Sequence, residues 1–186
     1  MRIISGTYRG RVLKSPSGVK TRPTSDRLRE TLFNVLQTKI GSETRFLDLC
    51  AGTGAIGIEA LSRGARFTTF VDKSRRACAL IEENLDLLEV PENQTAVFQS
   101  AANDFLRRVG GETEGWDIVF FDPPYSDDYL PVIRLIADDE SSLLNPDGIF
   151  IAEHHAKNML PDALGQLRRW RILKQGETNL SFYEKN

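Results

Sequence analysis

The chain has 186 residues, 40% of them apolar, which is enough for one sizeable core and too little for a membrane protein. There is no run of about eighteen apolar residues, and residues 1–10, MRIISGTYRG, lack the apolar stretch of a secretory signal, so a cytoplasmic chain with no membrane contact is expected. The net charge of −2 averages two unlike parts: residues 1–45 hold ten Lys or Arg against three acids, which leaves the remainder strongly acidic and marks the first part for a polyanion.

In chain order, RIIS and RVLK flank GTYRG as a small hairpin, and the loop SPSGVKTRPT leads to a helix capped by Thr24 or Ser25. Leu28, Leu32, Val35, Leu36 and Ile40 recur at helical spacing, so that face docks on the core and leaves Arg27 and Arg29 exposed. From residue 45 short Val-, Ile- and Phe-rich runs alternate with amphipathic stretches, the pattern of βα units around a parallel sheet. The strands are expected at 45–50, 67–72, 95–99, 117–122 and 148–154, and the helices at 55–63, 74–88, 101–109 and 128–139. Residues 170–175 and 180–185, separated by GETN, read as a closing antiparallel hairpin, and 110–115 as a surface loop. The whole is one α/β domain: a basic extension, 1–24, on a Rossmann-like body, 25–186.

Within FLDLCAGTGAIGIEA, Gly52, Gly54 and Gly57 form GxGxxG between a strand and a helix, so Ala51, Gly52, Thr53 and Gly54 bring backbone close to a ligand. Asp72, followed by Lys73, ends the second strand where a carboxylate binds ribose hydroxyls. Both features suit a dinucleotide as well as another adenosine cofactor. Asp48 favours the latter: a carboxylate before the glycine turn repels a pyrophosphate and attracts the cationic tail of S-adenosylmethionine, as does a pocket shared with Asp72 and Asp122. Ala101, Asn103 and Asp104, after the third strand, are candidates for the adenine. At the fourth strand's end Asp122, Pro123, Pro124 and Tyr125 make a stiff turn that combines an acid, free carbonyls and a flat ring, which suits a planar guest with an NH₂ group.

The DxxAGTGxxGxEAxSRGA run from Asp48 to Ala65, the DPPY of Asp122 to Tyr125, and the arm GxYRGRxL with TRPTSDRxRExLFN resemble the RsmD family, bacterial 16S rRNA guanine-N2 methyltransferases. The resemblance spans nearly the whole chain. It implies a class I S-adenosylmethionine-dependent methyltransferase fold, seven strands with the last antiparallel, and a monomer acting on a late small-subunit particle. Cys50 stands where many relatives are expected to carry an aromatic residue. Asp122 and the Pro123 carbonyl would then accept the guanine amine's hydrogens, and Tyr125 would stack on the base. Arg9, Arg11, Lys14, Arg22 and Arg27 would contact RNA phosphates, with Arg22 and Thr24 also near the cofactor.

No metal is required by this chemistry. Cys50 and Cys78 form no CxxC pair and are read as small buried hydrophobes. His154 and His155, adjacent on a strand, point to opposite faces and are read as structural or solvent-facing, with Glu153 and His154 bordering the substrate mouth. Trp116 and Trp170 are read as core. The alternatives are an adenine-N6 methyltransferase, since DPPY serves that amine too, an NAD-dependent oxidoreductase using GTGAIG, and a noncatalytic RNA-binding module.

Overall fold

The computed structural model describes residues 1–16, 26–110 and 114–186. After helix α1 (Asp26–Val35), strand and helix alternate as the periodicity predicts: β1 (Arg45–Leu49), α2 (Ala55–Ser62), β2 (Phe67–Asp72), α3 (Arg75–Leu87), β3 (Thr95–Gln99), α4 (Ala102–Val109), β4 (Trp116–Phe121), α5 (Leu130–Ala137) and β5 (Leu144–His155). Three strands follow, β6 (Ala163–Leu164), β7 (Leu167–Gln175) and β8 (Thr178–Lys185).

The strands form one sheet in the order β3-β2-β1-β4-β5-β8-β7-β6. β1 to β5 are parallel, and β8 lies antiparallel between β5 and β7. The order reverses beside β1, whose neighbours are β2 and β4. Chain connections leave β1 and β4 in opposite directions there, and a crevice opens beyond their carboxyl ends.

Alternation along the strands sorts the core into two faces. Leu47, Leu49, Val119 and Phe121 pack under Phe105 and Leu106 of α4 and Val132, Ile133 and Ile136 of α5. On the other face Phe46, Ile118, Phe120, Ile149 and Ile151 meet Leu28, Leu32 and Phe33 of α1 and Ile56 and Ala60 of α2. A third cluster joins Ile58 and Leu61 of α2, Phe70 of β2 and Ile81 and Leu85 of α3 to Ile3 and Leu13 of the N-terminal segment. The third motif glycine serves this packing: a β-carbon on Gly57 would press into the Phe70 ring and lie 2.8 Å from Thr68 Cγ2.

The sequence-based expectations need correction at four places. The sheet has eight strands instead of seven, because the two-residue β6 adds to β7 at the edge. The N-terminal hairpin shrinks to a single antiparallel bridge, Arg2 with Val12, flanked by bonds from Ile3 N to Arg11 O and Leu13 N to Met1 O. Gly10 N also reaches Ile3 O at 2.9 Å, and side chains of α1, α2 and α3 hold other main-chain groups of the segment. Arg29 is fully buried, not exposed; its Nη2 donates to Arg2 O at 2.6 Å and Asp26 Oδ1 at 2.8 Å. Burial lowers its pKa, while Asp26 and Glu59 oppose that shift. Trp170 is 41% exposed, because the β7–β8 register shifts between Arg169 and Arg171 and puts it on the sheet's margin, tilted against Phe182. Trp116 is buried as expected, its Nε1 donating to Thr69 Oγ1 at 3.2 Å. The expected cap at Thr24 or Ser25 lies outside the described residues.

Candidate active site

Two cavities meet at the carboxyl ends of β1 and β4. The first, about 380 Å³, is lined by Asp48, Cys50, Ala51, Gly52, Thr53, Asp72 and Asp122, together with Met1 and Pro16 of the arm. The second, about 480 Å³, is bounded by Asp72, Lys73, Ala101 and Asn103 on one side and Asp122, Pro123 and Pro124 on the other. Cys50, Asp72 and Asp122 belong to both.

The turn from β1 into α2 is shaped by left-handed backbone. Gly52 has φ 57° and Gly54, at the helix N-cap, φ 75°. Only glycine adopts these angles without cost. Gly54 does not line either cavity; its N–H closes the turn on Ala51 O at 2.8 Å. Cys50 has φ 63° despite carrying a side chain. It is half-buried at the junction of the cavities, not a buried hydrophobe as expected, while Cys78 is buried. Burial, then Asp72 and Asp122, push the Cys50 thiol up to about 12, so it stays protonated and inert at neutral pH.

The acids that line the crevice are fixed differently. Asp48, buried in β1, accepts the Gly57 N–H at 2.9 Å, which ties the strand to the helix it precedes. Burial, with a smaller push from Asp72, raises its pKa to about 7 against that hydrogen bond. Asp72 takes Gly52 N at 2.9 Å on one oxygen and Ser74 N at 2.8 Å on the other. Each oxygen keeps a second lone pair for a guest hydroxyl. The Asp122 main chain continues the sheet through Asp122 N to Leu49 O, 3.2 Å, while its carboxylate accepts no hydrogen bond among the described residues. Burial, then Glu153, then Asp48, push its pKa well above the carboxylate range.

Asn103 Oδ1 is buried with no partner among the described residues and belongs to the wall of the second cavity. An orphaned acceptor there fits the amino group of an adenine. Asp104 does not border either cavity; it is exposed in the first turn of α4, whose N–H end it favours electrostatically. Tyr125 is fastened through its hydroxyl to Thr178 Oγ1 at 2.9 Å and meets the His155 ring edge-on at 5.4 Å. Asn158 Nδ2 donates to Tyr125 O at 3.1 Å. His154 is buried, bonded through Nε2 to Ser181 Oγ at 2.9 Å, and burial lowers its pKa. It is structural, as expected. Among the described residues no three His, Cys, Asp or Glu are placed to hold a metal ion, and no helix is long and apolar enough to cross a membrane.

A family model described as Conserved hypothetical protein 95 matches residues 1–184. The Ribosomal RNA small subunit methyltransferase D of Escherichia coli K12 is 34% identical over all of this chain and 90% of its own length. Its Haemophilus influenzae namesake is 33% identical over 98% of this chain and 91% of its own length. The chain belongs to the RsmD family. Structures agree: the solved Escherichia coli chain yhhF, 33% identical, covers all of this chain with 98% of its own length at a TM-score of 0.84. A more distant chain, SMU.776, solved with SAH, is 19% identical, covers 84% of this chain and 48% of its own length at a TM-score of 0.66, and shares the fold.

In this RsmD-family chain the basic candidates divide. Arg9 and Arg27 border one groove together with Arg2, which sequence reasoning missed. Arg11 donates through Nη2 to Leu87 O at 2.9 Å, and Lys14 Nζ pairs with Glu83 at 3.0 Å, so both are drawn toward α3. Arg22 lies outside the described residues. Also missed were the residues that seat the arm. Buried Glu59 accepts Ile4 N at 2.8 Å and Ser5 N at 3.0 Å. Ser62 Oγ accepts Tyr8 N at 3.0 Å and donates to Ser5 O. Asn84 bonds Lys14. A signal existed: Glu59 is the one charge in AIGIEALS, and Asn84 shares the apolar face of Ala77, Ile81 and Leu88.

Proposed function

We propose that the chain transfers a methyl group from S-adenosylmethionine to the exocyclic N2 of a guanine in 16S rRNA, in the cytoplasm and within a small-subunit particle. One observation carries this reading: Asp122 stands in the wall of both cavities, so the corner able to grip an amine faces the crevice formed by the glycine turn. The names of the RsmD relatives support an rRNA substrate.

Bound in the crevice, S-adenosylmethionine supplies a methyl group activated by its sulfonium. The glycine turn and Asp48 take the amino-acid end, Asp72 the ribose, and Asn103 Oδ1 the adenine amino group, with Lys73 and Ala101 beside it. A bound cation draws Asp48 and Asp122, both held toward the neutral form by burial, back to their carboxylates, which favours it over a pyrophosphate.

The guanine amine is a poor nucleophile because its lone pair is delocalised into the ring. Asp122 and the Pro123 carbonyl hold its two hydrogens, turn the lone pair toward the methyl carbon and stabilise the positive charge that grows on nitrogen. Once ionised beside the sulfonium, Asp122 is through its burial beside Glu153 a stronger base than an exposed carboxylate, suited to take the departing proton. Tyr125, fixed by Thr178, offers a flat face to the base, and stacking of this kind contributes about 1–3 kcal/mol. Arg2, Arg9 and Arg27 hold the flanking phosphates.

The test is incubation with labelled cofactor of unmodified 16S rRNA and small-subunit particles side by side, followed by nucleoside digestion. N2-methylguanine is expected; N6-methyladenine, or no transfer to either substrate, refutes the assignment.

A further inference from the structure

The cofactor crevice has two walls that are remote in sequence. One is the glycine turn, residues 50–53; the other is the N-terminal arm, which contributes Met1 and Pro16. A single side chain touches the supports of both. Asn84, fully buried in α3, accepts the Lys14 N–H on Oδ1 at 2.8 Å. Its Nδ2 donates to Lys14 O at 3.3 Å and to Thr53 O at 3.2 Å. The amide thus holds Lys14 by both main-chain groups, two residues before Pro16, as a neighbouring strand would.

On the other side it fixes one peptide plane of the turn. The Thr53 carbonyl is held by Asn84 and the N–H of the same peptide, on Gly54, is held by Ala51 O. With that plane locked, the start of α2, whose Ala55 and Ile56 line the same crevice, is held in place. Nothing in α3 other than Asn84 bonds to both walls among the described residues.

We infer that Asn84 is a positioning residue that sets the glycine turn and the arm as one unit, so that cofactor affinity depends on how the arm is seated. The inference rests on the reading of the crevice as an S-adenosylmethionine site. It assigns to the arm a role in holding cofactor besides its contacts with RNA.

Two variants approach the amide from opposite sides, and binding of S-adenosylhomocysteine to the full chain, measured calorimetrically without RNA, reads both. Asn84→Asp keeps the acceptor for Lys14 N but turns an oxygen toward Thr53 O; binding weakens about tenfold, as loss of a buried donor implies. Lys14→Pro deletes the N–H on the exposed arm, leaves the glycine turn untouched, and weakens binding about three- to tenfold. In transfer assays Asn84→Asp raises the KM for cofactor while kcat at saturating cofactor stays within about twofold, a split that general loss of structure does not produce.

If the wild-type chain binds S-adenosylhomocysteine and Lys14→Pro binds it equally well, the arm does not set the crevice and the inference fails while the proposed function stands. If the wild type does not bind it, both fall.

Discussion

The two halves of the crevice use their carboxylates in opposite ways. On the cofactor side each acid is anchored to backbone: Asp48 holds Gly57, and Asp72 holds Gly52 and Ser74. These acids build the turn before they meet a guest. On the proposed substrate side Asp122 sits at the end of a strand with its carboxylate accepting nothing among the described residues, while the rigidity comes from Pro123, Pro124 and the Tyr125–Thr178 bond. One half is organised by carboxyls tied to main chain, the other around a carboxyl left untied, and under the proposed function the difference suits a preformed cofactor site beside a base that must enter and leave.

The sharpest way to break this contrast is Asp122→Ala. Methyl transfer should fall by about 10²–10³-fold, as for removal of a group aimed at developing charge, with S-adenosylhomocysteine affinity nearly unchanged. Comparable loss of binding would mean that Asp122 also belongs to the anchoring half.

Asp48→Asn probes the anchoring half through pH. The folded pKa of Asp48, about 7, lies above the ordinary value of 3.8, so its ionisation opposes folding. The wild type therefore loses stability as pH rises toward about 7, and the amide variant lacks this contribution. Denaturation at about pH 8.5 should show the variant more stable than the wild type by roughly 2–4 kcal/mol, the gap shrinking as pH falls toward about 4. A gap independent of pH would assign the effect to packing alone.

Gly57→Ala tests whether the strand–helix contact behind Asp48 tolerates bulk. With Phe70 and Thr68 in the way, a loss of about 1–3 kcal/mol in chemical denaturation is expected, and a neutral result would show that the Asp48–Gly57 link has slack. The smallest effect concerns RNA. Neutralising Arg9 and Arg27 together should reduce the salt slope of RNA binding by about two, and Arg9 with Arg11 by about one, since Arg11 is already spent on Leu87 O. Equal slopes would mean that Arg11 leaves α3 for the phosphates.

What could be read in the sequence was what depends on near neighbours. GxGxxG with Asp72 marked the crevice because the turn and the strand end are local, and the βα alternation placed every parallel strand within a few residues. The corner at Asp122 was legible because two prolines state their own geometry. What escaped depends on distant partners. Arg29 looks like a surface residue in DRLRE until Arg2 and Asp26 enclose it. Glu59 and Asn84 stand out among apolar neighbours, but what they hold shows only when the arm arrives on top of them. Trp170 was misplaced because an irregular register shifts a strand margin, and no local pattern records that.

The insertion of β8 between β5 and β7 has a consequence for biosynthesis. As the chain leaves the ribosome, β5 emerges with one edge still bare, carrying Ile149, Phe150 and Ile151, and it waits for a partner that is translated only after β7. Until then that edge is a template for any passing strand. The β5–β8 seam therefore closes only after β7 has been made, and slow elongation between β5 and β8 lengthens the time for which that edge is open.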